Sequence, residues 1–126
     1  RQAQHQTQKG QAKEMMLLTE EIKNALPPLY STEETPIAEK TVVCKFFNPM
    51  GRGTWWVVEG EKREYGDWLF FGVAHIYEPE WGYFTLSELE GVQVGLGLGI
   101  ERDINFRPRK IKSLPESVLD CFSISN

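Results

Sequence analysis

The sequence predicts a single α+β domain: a mainly antiparallel sheet of about four strands with short flanking helices. Three observations predict it. Runs rich in β-branched and aromatic residues occupy the centre of the chain, at 41–47, 54–60 and 68–78. Turn-forming clusters separate these runs, with no long helical stretch between them. Short segments with helix start and stop signals lie before and after them.

The elements follow in order. LLTEEIKNALPP (17–28) reads as a short helix. Thr19 is its N-cap, Glu20 and Glu21 suit the positive end of the helix dipole, and Leu18, Ile22, Ala25 and Leu26 share one face. Pro27 and Pro28 stop it. In the polar connector that follows, Thr35-Pro36 favours a turn or one helical turn. TVVCKFF (41–47) and TWWVVEG (54–60) form a hairpin across the loop Asn48–Gly53. WLFFGVAHIYE (68–78) is apolar on both alternating faces, as a central strand covered on both sides would be. Pro79 and Gly82 close it. In FTLSELEG, Thr85 and Glu88 form a capping box and Phe84 with Leu89 a hydrophobic staple, with Gly91 as the stop. A Gly-rich stretch leads to a strand from about Glu101 to Phe106. Ser113 and Glu116 suggest a second capping box, opening a helix over 114–121.

The first fourteen residues stand apart. They contain five Gln and neither an aromatic nor a β-branched aliphatic residue. Such a segment cannot bury enough surface to order itself. It reads as a disordered tail, a linker end or an expression remnant, with residues 15–126 as the domain. Without it, the remainder has 11 basic and 17 acidic groups, a net charge of −6. That balance does not suit a general phosphate-backbone binder. No apolar run approaches the roughly 18 residues of a membrane span. Two cysteines, Cys44 and Cys121, make no disulfide framework and fit a reducing cytoplasm.

No motif in the sequence specifies an enzyme. GLGLG (95–99) has the wrong glycine spacing for a dinucleotide loop, opens no helix and lacks the lysine of a P-loop. His75 has no His or Cys at metal-ligand spacing, so no metal or cofactor is expected. Glu78 and Glu80 flank a turn, and Glu88 is already used as a helix N3 residue. A small enzyme using His75 or Glu78 with Glu80 is the weakest reading.

Two features point to binding. Twelve of the fifteen aromatics lie between Phe46 and Phe84. Trp55 and Trp56 must face opposite sides of one strand, so one of them is a candidate surface anchor. Charge is also segregated. Residues 77–91 carry four acids and no base, whereas 102–112 carry Arg102, Arg107, Arg109, Lys110 and Lys112 against Asp103. Arg102 is expected to pair with a nearby acid. The candidate binding residues are therefore Trp55, Trp56, Arg102, Arg107, Arg109 and Lys110.

The ordered set LLTEEIKNALPPLY, Thr35-Pro36, KFF (45–47), GYFTLSELE (82–90) and GLGIERDINFRP (97–108) resembles a bacterial family, the domain of unknown function numbered twenty-nine fifty-eight. The resemblance covers roughly residues 16–115. It implies association with conjugative plasmids and other mobile elements, and no activity, cofactor or catalytic residue. The expectation is a non-catalytic interaction module that binds a protein partner. The alternative is a single-stranded nucleic-acid binder using the basic strip 102–112.

Overall fold

Thr19 opens helix α1 (Glu20–Ala25) as expected, its hydroxyl accepting from the Ile22 N–H at 3.2 Å. The chain leaves the helix at Leu26 and Pro27, and the Pro27 carbonyl accepts from Gly60 N at 3.0 Å, tying the helix exit to the sheet. Just after Pro36, one 3-10 turn (Ile37–Glu39) precedes the first strand. These features come from a computed structural model that describes residues 16–123. The segment read as a tail, 1–14, lies outside the described residues.

The strands are β1 (Thr41–Val42), β2 (Cys44–Phe47), β3 (Thr54–Lys62), β4 (Trp68–His75) and β5 (Pro79–Thr85). Helix α2 (Leu86–Glu90) follows directly, with the predicted capping box formed by Thr85 and Glu88. Strands β6 (Gln93–Gly95), β7 (Leu98–Gly99), β8 (Glu101–Arg102) and β9 (Arg109–Lys110) are short. Helix α3 (Glu116–Leu119) closes the order.

The main sheet has five strands in the order β5-β4-β3-β2-β8, every neighbouring pair antiparallel. Two small ladders stand beside it, β1 with β9 and β6 with β7. The expected four strands are thus corrected to five. The unexpected one is β5, whose Pro79 and Gly82 read as strand breakers. Pro79 is the first residue of an edge strand, where a missing N–H breaks no ladder bond. Gly82 pairs with Gly72, so neither glycine interrupts the ladder.

The sheet is covered on both faces, as β4 suggested. One core holds Leu17, Leu18, Leu26, Phe46, Trp55, Val57, Phe70, Phe84 and Leu89. The other holds Val42, Trp56, Val58, Val73, Ile111, Leu114, Cys121 and Phe122. The register slips between Val57 and Glu59, so Val58 and Glu59 both serve the second face. Gly72 is required where β4 passes β3: a Cβ there would lie 1.9 Å from the Trp56 carbonyl oxygen.

Three local expectations change. The Gly-rich stretch that precedes them forms a tight hairpin, in which Leu96 and Gly97 lie between paired Gly95 and Leu98, both with positive φ. The strand expected over 101–106 ends at Arg102, because Asp103 starts a turn by accepting from Asn105 N at 3.0 Å. The second capping box does not form. Pro115 is the N-cap of α3, and Ser113 instead donates to the Lys110 carbonyl at 2.7 Å. The helix expected over 114–121 is α3 followed by a 3-10 turn, Asp120–Phe122.

Candidate functional site

A groove of about 480 Å³ lies between α1 and the segment that follows β8. Its lining combines Ile22, Val43, Cys44 and Phe106 with Arg102, Arg107, Glu21 and Asp103. The local sequence explains its shape. Asp103 continues the ladder by donating its N–H to the Lys45 carbonyl at 2.9 Å, then turns the chain. Arg107 closes the turn, its Nη1 donating to the Ile104 carbonyl at 3.0 Å. The chain therefore arches away from the sheet opposite α1, and the space between them stays open. Lys45 and Asp103 face each other at 3.7 Å at its edge.

The basic strip divides within the fold. Arg102 is half-buried, and its Nη1 donates to the Met16 carbonyl at 2.6 Å, tying the start of the described chain to the groove wall. Arg107 is exposed and shared between this groove and an adjoining hollow of about 360 Å³, which Arg109 also lines. Arg109 Nε donates to the Ser113 hydroxyl at 3.0 Å. Lys110 turns the other way and meets Glu39 at 2.9 Å, and Lys112 meets the same carboxylate at 2.6 Å. These lysines hold the Glu39 carboxyl below the usual range, Lys112 first. Of the predicted cations, Arg102, Arg107 and Arg109 thus gather on one surface, whereas Lys110 is drawn away from it.

The tryptophan expectation is corrected. Trp55 and Trp56 do face opposite sides, but both are buried, at 8% and 5% exposure, one in each core. Neither is a surface anchor. The sheet is covered on both faces, so no face of β3 is left for an exposed ring.

Sequence reasoning missed two clusters. In the first, Glu59 is 3% exposed and accepts from the backbone N–H groups of Tyr30 at 2.7 Å and Thr32 at 3.1 Å, and from the Thr32 hydroxyl. The buried Lys40 ammonium donates to the Thr32 carbonyl and hydroxyl. A run of rings borders the same cluster. Tyr30 and Tyr83 centroids are 6.2 Å apart, Tyr83 and Phe71 5.1 Å, and Phe71 and Trp81 5.4 Å. The Tyr83 phenol is pushed up to about 12, first by its hydrogen bond with Tyr30, then by burial and the negative charge of Tyr30, Glu59 and Glu33.

In the second, Cys121 Sγ lies 3.4 Å from His75 Nδ1, and the imidazole stacks on Trp56 at 6.5 Å. Burial first, then Asp120, raises the Cys121 thiol above its ordinary range. A raised thiol is less readily the thiolate that a nucleophile needs. Glu78 and Glu80, the other catalytic candidates, are both exposed around the β4–β5 turn. A sequence signal for either cluster is lacking, because the Glu59 partners Thr32 and Tyr30 lie 27 and 29 positions away and Cys121 lies 46 from His75.

Residues 17–114, about three quarters of the chain, match the family described as protein of unknown function, DUF2958. The chain belongs to the DUF2958 family. The DUF2958 match takes in α1, all nine strands found among the described residues and the groove, and it stops at Leu114, just before α3. No curated protein and no solved structure matches the chain.

Proposed function

We propose that the domain is a non-catalytic protein-binding module whose groove between α1 and residues 103–108 receives a segment of a partner. One observation carries this reading. A single open cavity of about 480 Å³ joins an apolar floor to Arg102 and the exposed Arg107. Ile22, Val43 and Phe106 supply apolar area, and Arg107 presents a planar donor fork suited to a carboxylate. The fitting ligand is therefore an apolar segment carrying an acid. The bacterial mobile-element setting implied by the family resemblance is part of this proposal. So is a cytoplasmic location, supported by two free cysteines.

A nucleic-acid reading uses the same arginines and ranks second. Single-strand binding also needs exposed rings beside the cations. The exposed rings Tyr30, Tyr65, Tyr77 and Tyr83 all lie outside the lining of the groove and its adjoining hollow, and Tyr83 belongs to β5, four strands across the sheet from β8. At roughly 4.8 Å per strand, that separation is about 19 Å.

The test is a photo-crosslinking side chain at Ala25, an exposed groove residue, in cells of the source organism. The expected product is an adduct with one discrete polypeptide, abolished by Arg107→Glu. Adducts with nucleic acid, or adducts indifferent to Arg107→Glu, would overturn the reading.

A further inference from the structure

The outer edge of β5 is the longest unpaired strand edge of the main sheet among the described residues. β5 has seven residues, and its register with β4 runs from Leu69↔Thr85 to His75↔Pro79 without a shift. At the opposite end of the sheet, β8 has only two residues. Exposed edges are commonly blunted by bulges, by lysines or by being short. This one has a proline at its first residue and is otherwise regular and open.

Its side chains alternate in character. Glu80 pairs with Ala74, which packs on the first core, so Glu80 stands on that side with Gly82 two residues on. A Cβ at Gly82 would meet nothing within 4 Å. Trp81 and Tyr83 stand on the other side, and Tyr83 is 50% exposed. The surrounding field is negative. Glu78 and Glu80 are exposed at the start of the strand, Glu88 and Glu90 follow it, and the charges of Glu59 and Glu33 reach Tyr83. Arg52 stands over Tyr77 at 5.5 Å, at the hairpin end.

We infer that this edge takes an extended segment of a partner protein as a sixth strand, one in which basic residues alternate with apolar ones. Main-chain hydrogen bonds along β5 supply affinity, as in other strand additions. The two-residue period of the added strand sets its specificity. Its basic side chains fall on the Glu80 side, and its apolar side chains cover Trp81 and Tyr83. A second copy of the chain fits worse, because it would set one acidic edge against another. The edge lies across the sheet from the groove, so this inference is independent of the groove reading.

The experiment titrates the whole chain with a capped octapeptide of four Lys-Val repeats. It reads tryptophan fluorescence and amide hydrogen exchange. The expected result is saturable binding with slowed exchange across 79–85. A Glu-Val octapeptide, or the Glu80→Lys variant, weakens binding about tenfold by placing like charges opposite each other. An octapeptide N-methylated at every residue, with no amide donor left on either edge, abolishes it. Circular dichroism checks that Glu80→Lys, an exposed substitution, is folded. Absence of binding would overturn the inference. So would binding indifferent to N-methylation, protection confined to 102–108, or sedimentation showing edge-to-edge dimers.

Discussion

The backbone N–H of Tyr30 donates to the Glu59 carboxylate at 2.7 Å. This contact joins the connector after α1 to the bulged centre of β3. Glu59 also accepts from Thr32, and Leu29 N donates to Glu61 at 3.1 Å, so the two strand carboxylates replace a missing strand for the 29–32 segment. Removing the Glu59 acceptor, itself buried, would leave the Tyr30 and Thr32 N–H groups and the Thr32 hydroxyl without their partner. Glu59→Ala should destabilise the fold by about 3 kcal/mol. Urea unfolding followed by circular dichroism measures this. A loss within experimental error would show that water replaces the carboxylate.

Gly72 and Gly82 face each other across β4 and β5 but differ in their surroundings. A Cβ at 72 would meet the Trp56 carbonyl carbon at 2.9 Å and its oxygen closer still, and backbone cannot swing aside as a side chain can. Gly72→Ala should therefore cost about 3 kcal/mol or more. Gly82→Ala should change stability by about 0.5 kcal/mol or less. Thermal melts of the pair decide the matter, and equal losses would refute the steric explanation.

Local chemistry explains what the sequence revealed. Thr19, Pro27, and the Thr85–Glu88 box act within a few residues of themselves, and each works as its residue type predicts. β4 was legible because both of its faces meet a core. β5 was hidden because Pro79 and Gly82 break a central strand but not an edge strand whose partner offers Gly72. The groove was half legible. Its arginines stood out as a charge run, but their division depended on distant partners: Met16 for Arg102 and Glu39 for Lys110. The buried positions of Trp55 and Trp56 depended on α3 and its neighbouring turns, where Phe122 meets Trp56 edge-on at 5.7 Å. No periodicity over 54–60 carries that information.

Glu39 should titrate below its ordinary value of 4.5, because Lys112 and Lys110 both hydrogen-bond to the charged form. The folded pKa is depressed. Its stabilising contribution is therefore complete above the unfolded value and lost as pH falls through the folded one. A carbon-detected NMR titration should show the depressed midpoint. Salt at about 1 M should move it back toward 4.5, since these charges are exposed. A midpoint at 4.5 in low salt would show the ion pairs to be absent in solution, freeing Lys110 for an external anion.

Thiol reactivity offers a check on the whole arrangement. Cys44 and Cys121 are both buried, one in each core, so the sheet lies between them and they cannot bridge. Burial drives Cys44 up to about 12, against the opposing pull of Arg102, and Cys121 is raised too. Reaction with a thiol reagent such as Ellman's requires thiolate and access, and both are withheld in the folded chain. Native protein at pH 8 should release almost no chromophore in minutes, and both thiols should react once urea unfolds it. Arg102→Met should leave the unfolded count unchanged and, if it loosens the groove, speed only the Cys44 reaction. Cys44 lines that cavity, whereas Cys121 is held against His75 on the far face. Fast reaction of Cys121 in the native chain would instead mean that the last 3-10 turn opens readily and that the second core is far less secure than its packing indicates.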